Sequence, residues 1–79
     1  MSTKKLSNIS VSDYRKYLKN TCGCKCTRTA GGHEHWTRSN LDRPLTFQSH
    51  KDIVPEFIIK NHLKILNKSK EDFLSEFFI

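Results

Sequence analysis

Seventy-nine residues, with 14 Lys and Arg against eight Asp and Glu, carry a formal charge of +6. A chain this short buries roughly 60% of the surface its unfolded form exposes, which leaves room for one modest core and excludes a second lobe or a large cofactor enzyme. Its longest apolar runs are Phe57-Ile58-Ile59 and Phe77-Phe78-Ile79, far short of the ~20 residues of a membrane-spanning helix.

Residues 1–9 read as a polar, frayed N-terminus, with one domain over 10–79. The basic start lacks the apolar stretch of a signal peptide, so a cytoplasmic protein is expected. Ser10-Val11-Ser12-Asp13 offers a helix start with Ser10 as N-cap and Asp13 three residues on. Tyr14, Tyr17 and Leu18 follow as one apolar stripe, and Gly23 marks the stop. From Cys24 the pattern changes to a strand. Strict alternation places Cys24, Cys26, Arg28 and Ala30 on one face and Lys25, Thr27 and Thr29 on the other. Gly31-Gly32 is a hairpin turn, and His33–Arg38 is the returning strand. After a polar loop, Pro44 opens a short third strand, Leu45–Gln48. Pro55-Glu56 starts a helix whose stripe is Ile58, Ile59, His62, Leu63 and Leu66, with Asn67 as its stop. Ser69 caps a last short helix bearing Phe73, Leu74 and Phe77. The expected fold is α+β, with a three-stranded antiparallel sheet covered by helices on one face and open on the other.

A small basic domain attracts polyanions, and nucleic acid or an anionic membrane surface fits the charge alone. The open face carries the chemistry. His33 and His35 are two apart on a strand and share that face, while Glu34 and Trp36 point inward. An imidazole titrates near pH 6.5, which suits proton transfer at neutral pH. Lys25, Arg28 and Arg38 are candidates for neutralising phosphate, with at most one of Lys25 and Arg28 facing RNA if alternation holds. His50 follows the third strand and is assigned to a loop. His62 reads as a core-edge histidine. Cys22, Cys24 and Cys26 are an odd set two apart, which makes a poor disulfide framework and departs from the usual spacing of a zinc site. No metal or cofactor is expected. A zinc domain, a nucleophilic cysteine and an RNA-binding module that does not cut are the competing readings.

The order Thr29-Ala30-Gly31-Gly32-His33-Glu34-His35-Trp36, then Pro44-Leu45-Thr46-Phe47-Gln48-Ser49-His50, then Ile58–Leu66, then Ser69-Lys70-Glu71-Asp72-Phe73 resembles the HicA family of small mRNA interferases. These are the toxin halves of type II toxin–antitoxin pairs, and the resemblance spans roughly residues 10–77. It implies a double-stranded-RNA-binding-like fold used as an endoribonuclease. The family's catalytic histidine falls on His33 and its turn glycine on Gly31. Gly32 stands where the family usually has Ser, Thr or Asp. His35 would hold a phosphate or make the second proton transfer. The implied partners are messenger RNA and a cognate HicB-like antitoxin.

Overall fold

A computed structural model describes residues 6–78. In chain order the elements are β1 (Ile9–Ser10), α1 (Val11–Asn20), β2 (Lys25–Ala30), β3 (His33–Thr37), β4 (Leu45–Gln48), β5 (Ile53–Val54), α2 (Glu56–Leu66) and α3 (Lys70–Phe77). The expected helix, three-stranded sheet, helix and terminal helix are all present. The sheet is antiparallel in the order β2-β3-β4.

The frayed N-terminus needs correction where it is described. Leu6 and Ile9 are buried in the core, and Ile9-Ser10 pairs antiparallel with Ile53-Val54 as a second, two-stranded sheet. Leu6 and Ile9 among polar neighbours give no period to read, and a two-residue strand is too short to alternate. Residues 1–5 lie outside the described part.

Local signals explain the helix ends. The Ser10 side chain accepts from the Asp13 N–H at the start of α1. At α3 the reciprocal arrangement is complete, Ser69 accepting from the Asp72 N–H and the Asp72 carboxylate from the Ser69 N–H. Helix α2 ends at Asn67, which takes a left-handed conformation with φ 60°. Asparagine is one of the few residues with a side chain that visits this region readily.

The core lies on the inner face of the three-stranded sheet. Tyr14, Tyr17 and Leu18 of α1 meet Leu45 and Phe47 of β4, Ile59 and Leu63 of α2, and Phe73 of α3 in one buried cluster. Tyr14 packs edge-on against Phe47 at 5.6 Å between ring centres, and Tyr17 edge-on against Phe73 at 5.0 Å. These geometries match the ring quadrupoles. Tyr17 also donates its hydroxyl to Glu76 at 2.7 Å, and Lys68 donates to the same carboxylate at 2.9 Å, fastening α3 to α1 and to the end of α2. His62 is buried and doubly bonded. Its Nε2–H donates to the Thr46 carbonyl at 3.1 Å, and its Nδ1 accepts from the Tyr14 hydroxyl at 2.8 Å. The core-edge reading of His62 therefore stands.

Candidate functional site: the β2–β3 turn and the open sheet face

The site is built on a tight hairpin. Gly31 and Gly32 both have positive φ, 59° and 78°, as a two-residue turn matched to the strand twist demands. Register then fixes the faces. His33 pairs with Ala30 and Gln48, His35 with Arg28 and Thr46, while Glu34 and Trp36 pair with Phe47 and Leu45 of the core. Glu34 and Trp36 are buried, and His33 and His35 are half-exposed on the opposite face, as alternation along β3 requires.

Strict alternation along β2 is overturned. The register slips between Cys26 and Arg28, so that Cys26 pairs with Trp36 but Arg28 pairs with His35. Thr27 is the extra residue of a bulge, and its hydroxyl donates to the His35 carbonyl at 3.2 Å. Because directly paired residues share a face, Lys25 (opposite Thr37) and Arg28 both lie on the histidine side. Cys26 and Thr29 turn the other way, with Cys26 Sγ 3.8 Å from Thr29 Oγ1. The bulge lies beyond Cys26 and separates both Cys24 and Cys26 from the face of Arg28 and Ala30. Cys24 precedes the strand and is buried like Cys22, whereas Cys26 is exposed. Burial raises the Cys22 and Cys24 thiols above their ordinary value, away from thiolate chemistry. Among the described residues, no three His, Cys, Asp or Glu side chains cluster closely enough to hold a metal ion.

His33 lies where the turn meets β3. Its Nδ1 is 3.2 Å from the Gly31 carbonyl. A carbonyl can only accept, so Nδ1 carries a proton and donates it to Gly31. His35 is engaged at Nδ1 with the Thr46 hydroxyl at 3.3 Å. Arg38, one residue past β3 and on the Trp36 side by alternation, does not join the histidine face. It donates from Nη1 to the Cys22 carbonyl and from Nε to Asn40 at 2.9 Å, tying the β3–β4 loop to the end of α1.

His50 is the residue the sequence reading underplayed. The Ser49 N–H and hydroxyl both donate to the Gly32 carbonyl, at 2.7 and 3.0 Å, and clamp the end of β4 to the turn. His50 thereby comes to rest against Gly32: its Nδ1 would be 3.1 Å from a β-carbon at that position. The available signal was a histidine two residues beyond a strand whose length equals that of its neighbour's paired segment.

Beneath the turn, Arg15 of α1 reaches across the inner face. Its guanidinium grips the Glu34 carboxylate with bonds of 2.9 and 3.0 Å from Nε and a further one from Nη2, which also donates to the Ser49 carbonyl at 3.1 Å. Trp36 Nε1–H completes the carboxylate's set at 2.9 Å. The Arg15 hydrogen bonds hold the Glu34 carboxyl below the usual carboxylate range against the opposing cost of burial, and the Trp36 bond adds to them. One helix thus anchors both the strand that bears His33 and the segment that bears His50.

No family model, no curated protein and no solved structure matches this chain. Among the described residues, no helix is long and apolar enough to cross a membrane.

Proposed function

We propose that this domain is an endoribonuclease of the HicA type, a cytoplasmic toxin that cleaves messenger RNA and is held in check by a HicB-like antitoxin. The observation that carries the reading is the state of His33. Its ring is half-exposed at a tight glycine turn, with Nδ1–H donating to the Gly31 carbonyl. That bond holds the ring in place from its own turn and leaves Nε2 as the nitrogen for proton transfer. Lys25 and Arg28 on the same sheet face supply the positive field for a phosphate backbone. The order helix, three antiparallel strands, helix also supports a double-stranded-RNA-binding-like fold.

The chemistry needs little protein. The RNA's own 2′-hydroxyl attacks the adjacent phosphorus, and the enzyme contributes proton transfer and charge stabilisation. Cleavage of a long RNA by the purified protein, with EDTA present, tests the reading beside His33→Ala. Loss of a general acid–base group typically costs about 10²–10⁴ in rate. The expected result is cleavage by the wild type and none measurable by the variant, with the thermal transition retained. Equal cleavage by both would remove His33 from the chemistry. RNA binding without cleavage would identify a non-catalytic RNA-binding module. An antitoxin encoded beside this chain is expected to co-purify with it and to protect RNA in the same assay.

A further inference from the structure

We infer that His50 is a second catalytic residue of this site, making the proton transfer complementary to that of His33; the inference rests on the ribonuclease reading. Internal attack on a phosphodiester has two proton events. The 2′-oxygen loses its proton to a base as the O2′–P bond forms. The 5′-oxygen takes a proton from an acid as the P–O5′ bond breaks. The products are a 2′,3′-cyclic phosphate and a free 5′-hydroxyl, with no net proton consumed. The two oxygens are on opposite sides of phosphorus in an in-line displacement, so one imidazole cannot reach both in a single step. A second donor is required next to the first.

Three other histidines are available, and the fold separates them. His62 is buried with both ring nitrogens occupied by Tyr14 and Thr46. His35 is two residues along β3 from His33, about 6.6 Å at strand rise, and its Nδ1 is turned to Thr46. His50 alone is fastened to the turn itself. Ser49 binds the Gly32 carbonyl twice, and the His50 ring occupies the space that a side chain would take at Gly32, the residue immediately before His33. Any side chain at position 32 would meet that ring, so Gly32 serves the site by leaving the space as well as by its positive φ. His50 itself is exposed, and Lys51 beside it is exposed too. His33 opens β3 directly after the turn, and His50 lies in the turn that follows β4 beside Gly32, so both histidines belong to one end of the sheet.

The test uses two RNA substrates, one ordinary and one with sulfur in place of the bridging 5′-oxygen at the cleaved bond. A thiolate leaves without being protonated, so loss of the general acid is forgiven on the sulfur substrate and loss of the base is not. His33→Ala and His50→Gln are each expected to lose about 10²–10⁴ in rate on the ordinary RNA. On the sulfur substrate one of the two recovers and the other does not, which also tells acid from base. A merely structural histidine would give no such selective recovery. If His50→Gln cuts at close to the wild-type rate while His33→Ala is inactive, the second residue is wrong and the ribonuclease reading stands. Recovery of neither variant overturns the acid–base pair. If the wild type cuts no RNA, the reading beneath it fails as well. Should His50→Gln lose its thermal transition, His50→Asn is judged by the same outcomes.

Discussion

At the scale of single residues, His62 and Glu34 show how burial decides what a titratable group does. Desolvation lowers the His62 pKa from 6.5 to about 4, opposed by the bond to the Thr46 carbonyl. The neutral ring is the one that fits, since Nδ1 must accept from Tyr14 while Nε2–H donates. As pH falls through 6.5 the unfolded chain takes up a proton at this position that the folded chain refuses. Stability is therefore complete above about pH 6.5, declines toward pH 4 and levels below it, with a total effect on the order of 3 kcal/mol. Urea unfolding measured from pH 7 to pH 4 should show this decline, and His62→Gln should flatten it. Glu34 acts lower on the scale. Its depressed pKa means that its contribution is present above the ordinary carboxylate range and is lost as acid titrates the folded carboxyl, by which point the His62 effect is nearly spent.

Among the elements, β2 and β1 carry the departures from a sequence reading, and both for the same reason: each depends on a partner strand. Nothing in Lys25-Cys26-Thr27-Arg28 announces a bulge, because the extra residue is defined only by what Trp36 and His35 do opposite it. Its effect is to bring two cations to one face. Lys25→Ala and Arg28→Ala are accordingly expected to act alike, each lowering the slope of log affinity for single-stranded RNA against log salt by about 0.7. Salt titrations of RNA binding will tell, since an alternating strand would let only one of them matter. Ile9 likewise belongs to the core through Val54, its partner across β1–β5. With Ile9 1% exposed, Ile9→Ala should cost about 2–4 kcal/mol in urea unfolding, where a frayed terminus would cost almost nothing. What was legible came from strong local signals: the stripe of Tyr14, Tyr17 and Leu18, the caps at Ser10 and Ser69, the glycine pair, and the alternation from His33 to Trp36. Of the site, His33 and its turn could be read directly. The place of His50 could not, because Ser49 and Gly32 are 17 positions apart and meet only through the sheet. Arg38 could not be told from a surface cation without knowing that the Cys22 carbonyl lies within its reach.

For the molecule as a whole, the arrangement is a division of labour between the two faces of one small sheet. The inner face gathers most of the described large apolar residues into a single core, leaving Ile53, Phe57 and Phe78 exposed. The outer face is left to histidines, Thr46, Gln48 and the cations of β2. A net charge of +6 on so small a body favours encounter with any polyanion, whether RNA or an acidic protein surface, and sets rate more than specificity. On the proposed function, the specific part comes from the turn. There the backbone is fixed by two glycines, by the Ser49 clamp and by the Arg15 guanidinium from the far side of the sheet, so the working groups are placed by the folded core and not by a loop free to wander.

The chain's single tryptophan gives this arrangement a voice of its own. Trp36 is 7% exposed, and its indole N–H is bonded to Glu34, the carboxylate that Arg15 also holds. A lone indole emits according to the polarity and charge immediately around it. Because that neighbourhood is one guanidinium away from the Ser49 carbonyl, intrinsic fluorescence is an unlabelled readout of the turn. A ligand that pulls on the His50 segment and an acid that neutralises Glu34 would both be seen in its emission before the core opens.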